Sequence, residues 1–97
     1  MRIHTHPGEI LREEFMIPLG LSANALSRDI DVPPNRITSI IAAERAVTPD
    51  TALRLARYFD TTPEFWLNLQ MAHDLSVAVA VAEHGAEINE RIRPRAA

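Results

Sequence analysis

Residues 21–45, LSANALSRDIDVPPNRITSIIAAER, constrain the fold more than any other stretch of this chain. Ser22 is a good N-cap, because its hydroxyl accepts from an orphan amide at a helix start. A helix from there runs to about Ile30, and Asp31 and Val32 form a turn. Pro33 and Pro34 open a second helix, where proline sacrifices no intrahelical bond. That helix should reach Ala43 or Glu44. At ~100° per residue, Ile37, Ile40 and Ile41 gather on one side of it. With Leu26, Ile30 and Val32 they supply the apolar surface that two packed helices must bury. Asn35, Ser39 and Ala42 gather on the opposite side, flanked by Arg36 and Thr38. Small polar side chains with one long cation suit close approach to a major groove and hydrogen bonding to base edges. A face turned only to water would more often carry Lys, Glu and Gln. The stretch predicts a helix-turn-helix whose second helix reads DNA.

The overall charge does not announce such a role. The net charge is -3, whereas a nucleic-acid binder usually carries a basic balance. Any DNA contact must come from a local patch. All 10 cations are arginine, the side chain suited to phosphate and to guanine edges. A length of 97 residues predicts one small core, for which a dimer burying more apolar surface would be natural. With 0 cysteines there is no disulfide, thiol nucleophile or cysteine-ligated zinc. No apolar run is long enough to span a bilayer and Met1 opens no signal-peptide pattern, so a cytoplasmic protein without membrane association is expected. The 3 glycines are ungrouped, which excludes a phosphate-cradling loop motif. No nucleophile–base pair or ligand cluster marks an enzyme, and no cofactor is expected.

Elsewhere the chain reads as further helices. Residues 1–6 form a short arm, with His4 and His6 expected in solvent rather than on a metal; His73 and His84 lie far downstream. Residues 7–17 make a first helix that buries Ile10, Leu11 and Phe15 and that Pro18 stops, with Gly20 in the turn. Glu13 and Glu14, being adjacent, point to different sides and form no acid–base pair. Arg45 and Ala46 form a link. Thr48-Pro49-Asp50 and Thr62-Pro63-Glu64 then repeat one device: threonine cap, proline at the first helical position, acid in the first turn. Ala52, Leu55, Ala56 and Phe59 line one face of the fourth helix, with Arg54 and Arg57 turned away and Asp50–Arg54 spaced for an i,i+4 pair. The fifth helix, from Pro63 to about Glu83, packs Phe65, Trp66 and Leu69. Beyond Met71 it becomes SVAVAVA, whose strict alternation is formally a strand signal; continuity and alanine content favour helix. Leu75, Val77, Val79 and Val81 then form an apolar surface for self-association. Gly85 ends the helix, and residues 86–97 are a tail open to strand, partner-binding segment or disorder. The expected organisation is a helix-turn-helix domain over 1–75 and an extension over 76–97.

Five helices with a helix-turn-helix at positions two and three resemble the lambda-repressor-like (XRE) fold, all-α. Three segments carry a closer likeness to the HigA/VapI family of antitoxins: His6-Pro7-Gly8-Glu9-Ile10-Leu11, Val47-Thr48-Pro49-Asp50-Thr51-Ala52-Leu53-Arg54-Leu55-Ala56, and Thr62-Pro63-Glu64-Phe65-Trp66-Leu67-Asn68-Leu69-Gln70. The likeness spans about residues 4–75. It implies an antitoxin that neutralises a HigB/RelE-like mRNA endonuclease toxin and, as a dimer, represses its own operon. The chain departs from the family pattern at Ala23, where glutamine is usual, at Asp31, where the turn usually has glycine, and at Ala43-Glu44-Arg45, where a glycine-containing link is usual.

The resemblance places base contacts on Asn35, Arg36 and Ser39, with Thr38 on a flank. Ser22, Asn24, Arg28 and Arg45 are the phosphate candidates, Arg28 being equally open to pairing with a nearby aspartate. A stand-alone repressor would share this surface and need no protein partner.

Overall fold

The computed structural model describes residues 3–96, without the side chains of residues 82–84. Their regular structure is all helix, with six helices and no strand among them. Helix α1 covers 7–19 in three parts: an α-helical start Pro7–Ile10, a π-helical turn Leu11–Met16, and a last turn Ile17–Leu19. It is followed by α2 (Ala23–Asp29), α3 (Pro34–Ile41), α4 (Pro49–Phe59), α5 (Pro63–Ala80) and α6 (Ala82–Arg91).

Threonine, serine and histidine caps set the starts. The hydroxyls of Ser22, Thr48 and Thr62 accept from the amides of Ala25, Thr51 and Phe65, each satisfying one orphan donor. The ends share another device. The amides of Leu21, Val32 and Glu44 reach back to the carbonyls of Met16, Ser27 and Ser39. The amides of Gly20, Asp31 and Ala43 bond those of Ile17, Arg28 and Ile40. These are Schellman closures, and each needs a left-handed residue just past the helix. Gly20, Asp31 and Ala43 supply it, with φ of 62°, 60° and 60°.

The core is one cluster around Trp66, Leu11, Leu26, Ile37, Ile40 and Leu55, all fully buried. Met16, Ile30, Val32, Val47, Ala52 and Ala56 complete it. Ile41, Phe59 and Leu69 pack against its edge. Phe15 stacks on Phe59 at 4.9 Å and on Trp66 at 5.1 Å between ring centroids, while Trp66 donates its indole N–H to Thr61 at 2.8 Å. Phe65 keeps an edge contact with Trp66 but stays 38% exposed, so it covers the core rather than filling it.

Several expectations need correction. Pro18 does not stop α1; the helix continues to Leu19. The Ile17 amide bonds the carbonyl of Arg12, five residues back, and this wider turn accommodates a residue that has no N–H to give. The described part of the arm before α1 is docked against α5. The His4 amide donates to Ser76 at 2.8 Å, and the His4 carbonyl lies 2.7 Å from Nδ1 of His73. His6 is buried, not in solvent, and its Nδ1 caps α1 by accepting from the Gly8 amide at 2.9 Å; His4 is exposed as expected. A Cβ on Gly8 would collide with the Ile40 carbonyl, so glycine allows α1 to lie directly against the end of α3.

The fifth helix ends at Ala80 rather than Glu83, at a break where Val81 has ψ of 84°. Gly85 lies inside the next helix instead of ending one, and the tail is helical to Arg91. The i,i+4 pair between Glu87 and Arg91, at 3.2 Å, supports that helix. The alternating stretch after Met71 is helical to Ala80, and α5 runs unbroken through residues 75 and 76.

Candidate nucleic-acid interface

Helix α3 is short because its ends are fixed by chemistry: Pro33 and Pro34 at the start, the Ala43 closure at the end. Ile37 and Ile40 hold its inner side in the core. The rotation this imposes leaves Asn35, Thr38 and Ala42 exposed, with Ser39 half-buried at the margin. Thr38 donates its hydroxyl back to the Asn35 carbonyl at 3.3 Å. Asn35 makes no side-chain hydrogen bond within the described residues, which leaves its amide free to pair with a base edge.

Arg36 is different. Its side chain is 29% exposed and its Nη1 donates to Asp50 at 2.8 Å. The same Asp50 oxygen accepts from Nε of Arg54 at 3.1 Å. The expected Asp50–Arg54 pair is present, but Arg54 does more. Its Nη1 also donates to the carbonyls of Ile30 at 2.8 Å and Asp31 at 3.0 Å. Arg54 thus closes the C-terminal end of α2 and the turn into α3, with charge-assisted bonds to carbonyls otherwise short of donors. The hydrogen bond from Arg54, reinforced by the Arg54 and Arg36 charges, holds the Asp50 carboxyl below its ordinary range.

The phosphate candidates all lie outside the core. Ser22, Asn24, Arg28 and Arg45 are all exposed. Ser22 uses its oxygen as the α2 cap, which leaves its hydroxyl proton to donate. Arg28 takes part in no ion pair among the described residues. Its neighbour Asp29 instead accepts from Tyr58 at 2.7 Å. Arg36 and Arg45 come together in an open depression of about 310 Å³ with Thr48, Asp50 and Thr51. Glu44 is exposed at the edge of the link. Behind the link, Gln70 accepts from the Val47 amide at 2.7 Å and donates to Asp74 at 2.9 Å, anchoring the chain between α3 and α4 to α5.

Sequence reasoning left the second role of Arg54 and the anchoring role of Gln70 unseen. Nothing in the i,i+4 spacing of Asp50 and Arg54 says that a guanidinium also reaches carbonyls more than twenty residues away. Among the described residues no group of three or more His, Asp or Glu side chains could hold a metal ion, and His84 lies outside the described side chains. No helix among them is long and apolar enough to cross a membrane.

Residues 11–66 match the family model described as Helix-turn-helix. Virulence-associated protein I of Dichelobacter nodosus is 55% identical over 73 residues, covering 75% of this chain and 68% of that protein. Across the curated relatives at 40% identity or better, the match spans 63% to 68% of their length. An addiction module antidote protein of the HigA family from Coxiella burnetii superposes with a TM-score of 0.87 at 46% identity, over 97% of this chain and 100% of that one. Antitoxin GraA in complex with its operator superposes with a TM-score of 0.90 at 47% identity, over 100% of this chain and 95% of that one.

Proposed function

The chain belongs to the HigA family of helix-turn-helix antidote proteins, and we propose that it is an antitoxin that represses transcription by reading operator DNA with α3. The observation that carries this reading is the outer face of α3. Its inner side is locked in the core, while Asn35 stands free and Arg36 is held beside it. An arginine and an asparagine at the start of a helix match the major-groove edges of guanine and adenine. Ser39 and Thr38 complete the base-reading set. Ser22, Asn24, Arg28 and Arg45 fix the register through phosphates. A complex of the similar antitoxin GraA with its operator supports this use of the fold.

The protein acts by binding alone, not as an enzyme, in the cytoplasm. Its protein partner is a RelE-like toxin. It works as a homodimer, so that two copies of α3 read half-sites ~34 Å apart. Residues 1–75 carry DNA recognition and residues 76–97 extend the self-association surface. What supports the dimer is the exposure of Leu75 at 63%, Val77 at 37% and Val81 at 53% on a single copy. Val79, one turn after Leu75 on α5, is half-buried.

The test is a growth experiment. The small reading frame adjacent to this one is induced in cells with and without this protein. Killing that this protein reverses is the expected result. No killing, with specific retardation of upstream DNA by this protein, would instead make it a stand-alone repressor.

A further inference from the structure

Arg36 opens α3, Asp50 opens α4, and Arg54 follows one turn later. One carboxylate oxygen of Asp50 receives Arg36 Nη1 at 2.8 Å and Arg54 Nε at 3.1 Å. Arg54 in turn holds the carbonyls of Ile30 and Asp31 at 2.8 and 3.0 Å. A single relay therefore ties the turn before α3, the first residues of α3 and the start of α4.

Asp50 complements the start of α4 and holds Arg54, but two facts point beyond stability. The Asp50 side chain is 56% exposed, and exposed ion pairs contribute little to folding. Asp50 also places a negative charge in the depression that Arg36 and Arg45 line, where it repels any phosphate. What a fixed carboxylate does well is orient a guanidinium. Arginine has five N–H donors in a planar fork. Anchoring one nitrogen fixes the direction of the others, and less side-chain freedom is then lost when they meet a base.

We propose that Asp50 is the positioning residue for Arg36: it aims the guanidinium at a base edge, giving sequence discrimination while lowering gross DNA affinity. This rests on the reading of α3 as the recognition helix. Arg36 reads the base; Asp50 acts only through it.

The test uses the full chain, a fluorescent duplex from upstream of its own reading frame, and a scrambled duplex of equal composition. Binding to both is titrated for the wild type, Asp50→Asn, Asp50→Ala, Arg36→Ala and the Arg36→Ala/Asp50→Ala pair, with thermal melting to confirm folding. Removing the charge tightens scrambled-duplex binding several-fold in both Asp50 variants. The operator-over-scrambled ratio falls roughly tenfold in Asp50→Ala. It is partly kept in Asp50→Asn, whose carbonyl still accepts from Arg36. In the Arg36→Ala background, removing Asp50 changes the ratio no further. An unchanged ratio in Asp50→Ala, equal ratios in Asp50→Ala and Asp50→Asn, or an equal loss without Arg36 would each overturn the proposal. A wild type that does not discriminate would remove the recognition-helix reading, and the proposal with it.

Discussion

Ala43 occupies left-handed backbone at φ 60°, where its Cβ crowds the following carbonyl. The Schellman closure of α3 requires that conformation. Ala43→Gly removes the crowding but adds freedom to the unfolded chain. The net expected gain is ~0.5–1 kcal/mol, read from urea unfolding; a loss of stability would mean that the backbone there is not left-handed. His6 makes a second residue-scale prediction. Burial, then the neighbouring His73, lowers its pKa, against an opposing effect of Asp74. The unfolded chain takes up a proton near the ordinary value of about 6.5, where the folded chain does not. Its contribution to stability is therefore full above that pH and is lost as the pH falls from there toward the folded value. His6→Asn, which keeps a capping acceptor, should flatten this part of the stability–pH curve; an unchanged slope would assign it to other histidines.

At the scale of elements, much of the fold was legible because the punctuation is local. Ser22, Thr48-Pro49 and Thr62-Pro63 mark starts that the structure keeps to the residue, and the isoleucine spacing of α3 gives its buried side directly. What escaped the sequence depends on partners distant in the chain or on a choice among hydrogen-bond registers. Pro18 reads as a stop because a π-helical turn leaves no mark in composition. His6 reads as exposed because its burial depends on His73, 4.9 Å away between ring centroids. Gly85 reads as an end because glycine often closes a helix, but its neighbours' preference for helix outweighs one glycine, a penalty of only ~1 kcal/mol. Within the candidate site, Asn35 and Arg36 were legible from the helical wheel, but the carbonyl clamp of Arg54 was not. Gln70 shows how such anchors can be checked. Gln70→Leu leaves the Val47 amide buried without an acceptor and should cost ~1–3 kcal/mol in thermal or urea unfolding; an unchanged midpoint would mean that the link finds another acceptor.

The molecule as a whole extends 52 × 26 × 21 Å, longer than its single core requires. Leu75 and Val81, on and just after α5, and Ile88 and Ile92, on and just after α6, are 63%, 53%, 42% and 65% exposed, apolar side chains that one copy does not cover. Leu75 is a better probe of this surface than Val79, because its side chain is spent on little within the chain. Leu75→Asp should shift the protein to monomer in sedimentation equilibrium without lowering its helix content. A variant that sediments with the mass of the parent would move the interface elsewhere. Loss of the dimer should also weaken operator binding, since two half-sites would no longer be read together.

The central claim is that α3 reads the operator, and the most direct test is a titration of upstream duplex with Asn35→Ala and Arg36→Ala. Each variant should fold as the parent does and bind the operator ~1–3 kcal/mol more weakly, with its preference relaxed at one base position. Two variants that bind with the parent's affinity and preference would contradict the claim and place the reading surface off α3.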